Sequence, residues 1–339
     1  MKNTLKLAVI IPAYNAAATL EACLGGIAAS IRKPDEIIVY NDGSTDSTVE
    51  IAKRFGAKVI TGKKRAMGPA FGRNVAAHST DADLLVFIDA DVQVHPDSIK
   101  ILESAFLDAH NVAAAFGSYD DAPSSRKIAA LYANLRHHYV HQNSQSEATT
   151  FWSGFGAVRR CSFLAVGGFD LQFSEPSVED IELGLRIRRN EGRILLIPQA
   201  QAKHCKDWGL FQLWRTDIFA RAIPWSKMIV SGKTNGADLN TSIRERITSV
   251  VAHSVWVLGI LSMLMPGITF ALIAAVILFI GLNKNFFALL ARQGGALLLL
   301  NGIVLHWFYY LYASIAFVLV SITHRKPLKP HKVEHVAGE

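Results

Sequence analysis

Two aspartates one residue apart, Asp89 and Asp91, follow the apolar run Leu84–Ile88, with Ala90 between them. Paired carboxylates at that spacing share a divalent cation, Mn2+ or Mg2+, and a cation so held grips a diphosphate. A second acidic pair, Glu179 and Asp180, opens an amphipathic stretch at 179–190, where acids interact favourably with a helix dipole. His137 and His141, four residues apart, share a helix face and have the spacing of a metal pair, but no acid or cysteine nearby completes a ligand set. Trp208, Arg215, Arg221 and Trp225 interleave aromatics with cations that would neutralise a leaving diphosphate. Cys23, Cys161 and Cys205 are spaced like neither a zinc site nor a disulfide framework, and read as buried thiols in a reducing compartment.

These residues need a frame. Short β-rich apolar runs at 7–11, 36–40, 57–60, 84–88 and 112–117 alternate with helical patterns at 19–30, from Asp46, at 69–79 and beyond Pro96, which is the signature of an α/β domain with a mostly parallel sheet. The all-apolar run at 84–88 is a central strand, so Asp89 and Asp91 fall at its carboxyl end, where open α/β sheets bind ligands. A long helix is expected at 124–143, a further helix at 179–190, and strands at 194–197 and near 200–203.

Half of the residues are apolar and 19% are charged, and mean hydropathy is +0.24, which excludes disorder and points to a membrane. The formal net charge of +7 suggests nucleic acid until it is divided along the chain, because residues 1–249 carry 29 Lys and Arg against 26 Asp and Glu. No basic domain results, and nucleic acid is not expected as a partner. Residues 250–323 hold just two charged side chains, Lys284 and Arg292. The first residues lack the apolar core of a signal peptide, so the N-terminal region is expected to stay in the cytosol.

Four segments in order carry a resemblance: Val9 to Asn15, Ile38 to Asp46, Gly68 with Arg73-Asn74, and Asp89-Ala90-Asp91. Their succession resembles the family-2 inverting glycosyltransferases of the GT-A fold, over about residues 7–230. The resemblance implies a Rossmann-like nucleotide-sugar-binding domain, with a UDP-sugar as donor. It assigns donor contacts to Pro12, Ala13, Tyr14, Asn15, Asp42, Gly68, Arg73, Asp89, Ala90 and Asp91, with Asn41 standing where the family usually has Asp; as a guanidinium, Arg73 could equally pair with Asp89 or Asp91. Trp152 and Gly154 lie in the acceptor half, and Asp180 matches the family's general base, with Glu179 as its hydrogen-bonding neighbour. His204 falls where relatives place a third metal ligand beside Asp89 and Asp91, or a diphosphate contact; Arg221 and Trp225 are assigned to acceptor or diphosphate. Arg221 to Trp225 is similar to the Gln-x-x-Arg-Trp motif of processive polysaccharide synthases only at the Trp, so a processive enzyme is the alternative rather than the expectation. A sugar-phosphate nucleotidyltransferase would carry a glycine-rich loop after the first strand, and 12–20 has no glycine.

The expected organisation is a glycosyltransferase domain over 1–235, with a nucleotide-sugar half at 1–120 and an acceptor half at 121–235. An amphipathic linker at 236–249, a helical membrane region at 250–323 and a basic cytosolic tail at 324–339 follow. Pro266-Gly267 cuts 250–282 into pieces of about 16 and 15 residues, each short of the ~20 a span needs, so a kinked span and a tight hairpin both fit. Residues 296–323 read as one span and 283–295 as interfacial, giving two or three membrane helices. A multi-pass protein of the cell inner membrane is expected, acting on a membrane lipid or lipid-linked acceptor and taking part in envelope glycan synthesis.

Overall fold

The computed structural model describes residues 5–62, 66–107, 111–173, 175–232 and 242–324, so 236–241 of the expected linker and all but the first residue of the basic tail lie outside the described residues. The chain divides into two compact units. The first comprises residues up to Ser125 and His141–Asp207; the second holds Arg126–Val140 and the chain from Trp208.

The first unit is built on a nine-stranded mixed sheet. Its strands are β1 (Leu7–Ala13), β2 (Glu36–Asn41), β3 (Lys58–Thr61), β4 (Leu84–Ile88), β5 (Val92–Val94), β6 (Val112–Tyr119), β7 (Glu147–Ala148), β8 (Phe155–Arg159) and β9 (Arg193–His204). The order is β3-β2-β1-β4-β8-β6-β9-β5, with β7 also on β9. β3, β2, β1 and β4 run parallel, as the alternating pattern predicts, and β8 then enters antiparallel between β4 and β6. The sequence reading did not include β5, β7 or β8, and it split β9 in two. These strands are short or polar, so only their partners hold them extended.

Strand alternation supplies both faces of the sheet. Leu7, Val9 and Ile11 of β1 and Leu84, Val86 and Ile88 of β4 face the core beneath α1 (Ala17–Ala29), α2 (Thr48–Arg54) and α4 (Ser98–Leu107). Ile10, Leu85 and Phe87 face the opposite core, with Ala70, Ala76 and Ala77 of α3 (Pro69–His78), Phe163 of α6 (Arg160–Ala165) and Leu183 and Ile187 of α7 (Glu179–Arg189). β4 is buried along its whole length, and its carboxyl end is therefore fixed from both sides. Cys23 is buried as expected, whereas Cys161 is exposed, because it faces outward from the short helix α6.

The second unit is helical. It contains most of α5 (Ile128–Asn143), then α8 (Leu210–Arg215), a π-helical segment Thr216–Ala222 and α9 (Ile223–Val230). α10 (Ile243–Leu264), α11 (Thr269–Leu282) and α12 (Lys284–Thr323) complete it. Leu131, Tyr132 and Leu135 of α5 and Leu213 of α8 share one core with Phe279, Phe286, Phe287, Leu290 and Leu305, which is why these elements group with the apolar helices. By length and composition α10 and α12 are apolar enough to cross a membrane. Arg244, at the start of α10, donates to the carbonyl of Leu282 at the end of α11, so of the two readings of the Pro266 break the hairpin is the one found. α12 is also folded back on itself: Gly294 and Gly295 leave helical geometry, with φ +64° at Gly295, and the rings of Phe286 and His306 stand 4.7 Å apart. The stretch 283–295 buries Phe286, Phe287 and Leu290 in this hairpin.

Candidate active site

The loops at the carboxyl ends of β1 and β2 are bonded to one another. Asn15 adopts φ +47°, which asparagine tolerates, and its side-chain oxygen accepts from the Thr45 amide at 2.8 Å while its own amide donates to Ser44 Oγ. Asn41 accepts from the Ser44 amide at 2.9 Å, and the Asp42 amide donates to the Ala13 carbonyl. The buried Asp42 carboxylate accepts the amides of Met67 and Gly68 at 2.9 and 2.8 Å, which holds the entry to α3. Gly68 sits at φ +89°, conformational space that favours glycine, directly before Pro69 at the first helical turn. Asp42, expected as a nucleoside contact, thus has both oxygens on backbone, while Tyr14, beyond Pro12 and Ala13, is 58% exposed at the rim.

Arg73 on α3 is buried, and its guanidinium joins two carboxylates: Nη2 lies 2.7 Å from Asp89 and Nη1 2.9 Å from Glu179. It also lies over the Phe169 ring at 5.2 Å. The next residue, Asn74, bonds both backbone groups of Phe169, donating to its carbonyl at 2.9 Å and accepting from its amide at 2.8 Å. Pairing with Asp89 is the alternative that the sequence offered for Arg73 beside its place near the nucleotide, and Glu179 is the partner that it did not name.

The loop before β8 reaches the same place. The Ser153 amide donates to Asp180 at 3.1 Å, and the Gly154 carbonyl accepts from the Asp89 amide at 3.1 Å. A side chain at Gly154 would stand 2.6 Å from the Trp152 indole, so only glycine lets that ring lie over the loop. Trp152 meets the edges of Tyr119 and His141 at 4.8 and 5.2 Å. His141 itself bonds the Gly117 carbonyl at 3.1 Å, which is a structural role and not that of a metal ligand.

Glu179 and Asp180 occupy the first turn of α7. Glu179 Oε2 accepts from the Ser177 amide at 2.8 Å, with Oε1 on Arg73, whereas Asp180 is partly exposed and bonded to backbone amides of Ser153 and Ile181. Burial and the adjacent Glu179 carboxylate push the Asp180 carboxyl up to about 7, against the opposing pull of the Ser153 amide and Arg73. A carboxylate with that value is matched to proton acceptance near neutrality.

Ala90 and Asp91 follow Asp89 in the turn to β5. His204 Nε2 lies 3.9 Å and Lys206 Nζ 3.7 Å from Asp91 Oδ2, and His204 is stacked on Tyr119 at 4.5 Å. Among the described residues, no three His, Cys, Asp or Glu side chains cluster as a metal site, because Asp89 is drawn to Arg73. Asp91 and His204 still suit a divalent cation: two ligands at about 2.1 Å each can be up to roughly 4.2 Å apart, and water and substrate phosphate complete such sites. Lys206 was not among the residues singled out from sequence, although its place two residues after His204 in a strand exit was visible there.

Arg221 and Trp225 belong to the second unit. Arg221 pairs with the buried Asp217 at 3.2 Å and lies over the Trp208 ring at 5.6 Å. Asp217 also takes Arg136 at 2.7 Å and the Tyr312 hydroxyl at 2.6 Å. The Arg221 guanidinium is therefore partly neutralised within its own unit.

Residues 8–167 match the family described as glycosyl transferase family 2. The uncharacterized glycosyltransferase YibD of Escherichia coli (strain K12) is 34% identical over 111 residues, 32% of this chain and 32% of that protein. The undecaprenyl-phosphate 4-deoxy-4-formamido-L-arabinose transferase of Aeromonas hydrophila subsp. hydrophila is 32% identical over 125 residues, 33% of this chain and 37% of that protein. The matched stretch thus spans about a third of the length of each of these curated relatives. In fold, the chain resembles the mannosyltransferase PcManGT from Pyrobaculum calidifontis, solved with GDP-Man and Mn2+, at 18% identity and a TM-score of 0.56 over 95% of this chain and 88% of that one. Residues 8–167 are thus similar to glycosyl transferase family 2, and the sheet unit has a GT-A-like fold.

Proposed function

We propose that the protein is a membrane-held, inverting glycosyltransferase that moves one sugar from a nucleotide-sugar donor, a UDP-sugar, to a hydroxyl of a membrane-associated, lipid-linked acceptor. The observation that carries this reading is Asp180, a partly exposed carboxylate with its pKa raised to about 7, beside Trp152 and the Asp89–Arg73 pair. In the transfer, the acceptor oxygen bonds to the anomeric carbon on the face opposite the diphosphate, and the bond from that carbon to the diphosphate oxygen breaks. The acceptor proton passes to Asp180, leaving as the second product a nucleoside diphosphate.

A base is needed by a hydroxyl, which must lose a proton, and not by a phosphate monoester, whose oxygen is already ionised. Asp180 therefore favours a hydroxyl acceptor carried on a lipid over a bare lipid phosphate. Asp91 and His204 would hold Mn2+ or Mg2+, which when bound supplies charge neutralisation for the leaving diphosphate. Lys206 adds a further cation at the same edge. Pro12, Ala13, Tyr14 and Asn15 would contact the nucleoside, with the adjoining loop held by Asp42 on the Met67 and Gly68 amides. The apolar helices α10 and α12 support a membrane location, with the first unit at the cytosolic face; a relative named for an undecaprenyl-phosphate substrate supports a polyprenyl carrier, on which Asp180 favours a hydroxyl over the bare phosphate.

The test is Asp180→Asn in the full-length protein. Turnover with the best nucleotide sugar of a UDP- and GDP-sugar panel, in Mn2+, should fall ~10² to 10⁴-fold, with donor affinity unchanged. Near-normal turnover would overturn the assignment.

A further inference from the structure

Arg73 is the point at which three loops converge, and its geometry is unusual for a nucleotide-binding arginine. It is 3% exposed, and its fork is divided between Asp89, after β4, and Glu179, at the start of α7. Its face covers Phe169, whose backbone is clamped by Asn74 from the same turn of α3. A planar guanidinium with two terminal nitrogens can span two carboxylates in fixed directions, which a lysine ammonium on a flexible stem does not reproduce.

We infer that Arg73 is a positioning residue for the transfer: it ties the donor-side Asp89 to Glu179, and so fixes both the first turn of α7 and the charge that surrounds Asp180. This rests on the reading of Asp180 as proton acceptor. The charged groups facing Asp180 are Glu179 on its own helix and Arg73 from α3; the loop before β8 contributes the Ser153 amide and hydroxyl. Glu179 raises the Asp180 pKa and Arg73 lowers it, so the pair acts as a balance with opposite signs. Loss of the arginine charge leaves Asp180 protonated to higher pH; loss of the Glu179 charge does the reverse.

A protonation readout that does not depend on turnover tests this. The full-length protein in detergent is labelled with a water-soluble carbodiimide, which attacks protonated carboxyls, at a series of pH values. Labelling of Asp180 is located by tandem mass spectrometry and normalised to an exposed surface acid. The wild-type midpoint should lie at about 7. Arg73→Met should raise it by about one unit or more, and Glu179→Gln should lower it by a similar amount. Arg73→Lys, which keeps the charge but not the fork, should leave the midpoint near the wild-type value while turnover falls at least about tenfold. An unmoved midpoint in a folded Arg73→Met protein overturns the inference, as does a Lys variant that shifts as far as the Met variant. Should Arg73→Met fail to fold, Glu179→Gln decides: an unmoved midpoint there is equally fatal. Normal turnover in Asp180→Asn, with the midpoints moving as stated, would remove the base assignment and leave the positioning role standing.

Discussion

Replacing Asn74 by alanine strips the buried Phe169 backbone of both its partners. The amide of Asn74 donates to the Phe169 carbonyl at 2.9 Å and its oxygen accepts from the Phe169 amide at 2.8 Å, with Asn74 itself 4% exposed. Gly168, at φ +68°, packs the loop directly on that amide: a side chain on it would lie 2.6 Å from the Asn74 oxygen. Leaving a buried donor or acceptor unsatisfied costs about 1–3 kcal/mol, so two such groups lose roughly 2–4 kcal/mol with partial relaxation. For a unit of this size that lowers Tm by roughly 6–12 °C. Paired thermal unfolding of wild type and variant in the same detergent reads it. The exposed pair Arg54–Glu21 at 2.8 Å is the control, and Arg54→Ala should move Tm by no more than about 3 °C. If Asn74→Ala unfolded within that control range, the clamp would not be holding the Gly167–Phe169 loop, and the convergence on α3 would lose its physical basis.

Gly154→Ala should cut turnover strongly with little effect on global stability, because its new methyl stands 2.6 Å from the Trp152 indole and the ring can swing out of the loop; an unchanged kcat would refute that. In the second unit, Arg136→Met leaves the buried Asp217 without its main counter-charge and should cost about 3–5 kcal/mol. Burial would push Asp217 up, but Arg136, Arg221 and the Tyr312 hydroxyl hold it below the usual carboxylate range. Its stabilisation is therefore present above the ordinary carboxylate pKa and lost as pH falls through the depressed value, and Tm against pH should show an acid arm that the Arg136→Met protein lacks.

Much of the first unit was legible in local pattern. The run at 84–88 has no polar residue, so it had to be a strand buried on both faces, and Asp89 and Asp91 had to emerge at its end. The membrane-compatible helices were equally plain, because 74 residues with two charges admit little else, and the Pro266 and Gly295 breaks are written in backbone chemistry. What sequence pattern could not supply is whatever depends on a partner far along the chain. β8 is held between β4 and β6 by pairing with residues 40 or more positions away, and its own residues carry no strong strand signal. Pairing of Arg73 with Asp89 was open to the sequence reading, but its other partner, Glu179, is 106 residues away, a pairing that exists only once the sheet has brought α3 and α7 to the same edge. α5 reads from sequence as part of the acceptor half, yet Tyr132 and Leu135 are buried against Phe286 and Leu290. Periodicity and turn chemistry are set by residues a few positions apart, so the sequence determines them directly; which apolar face covers which, and which buried charge meets which, is decided by the packing of the whole chain.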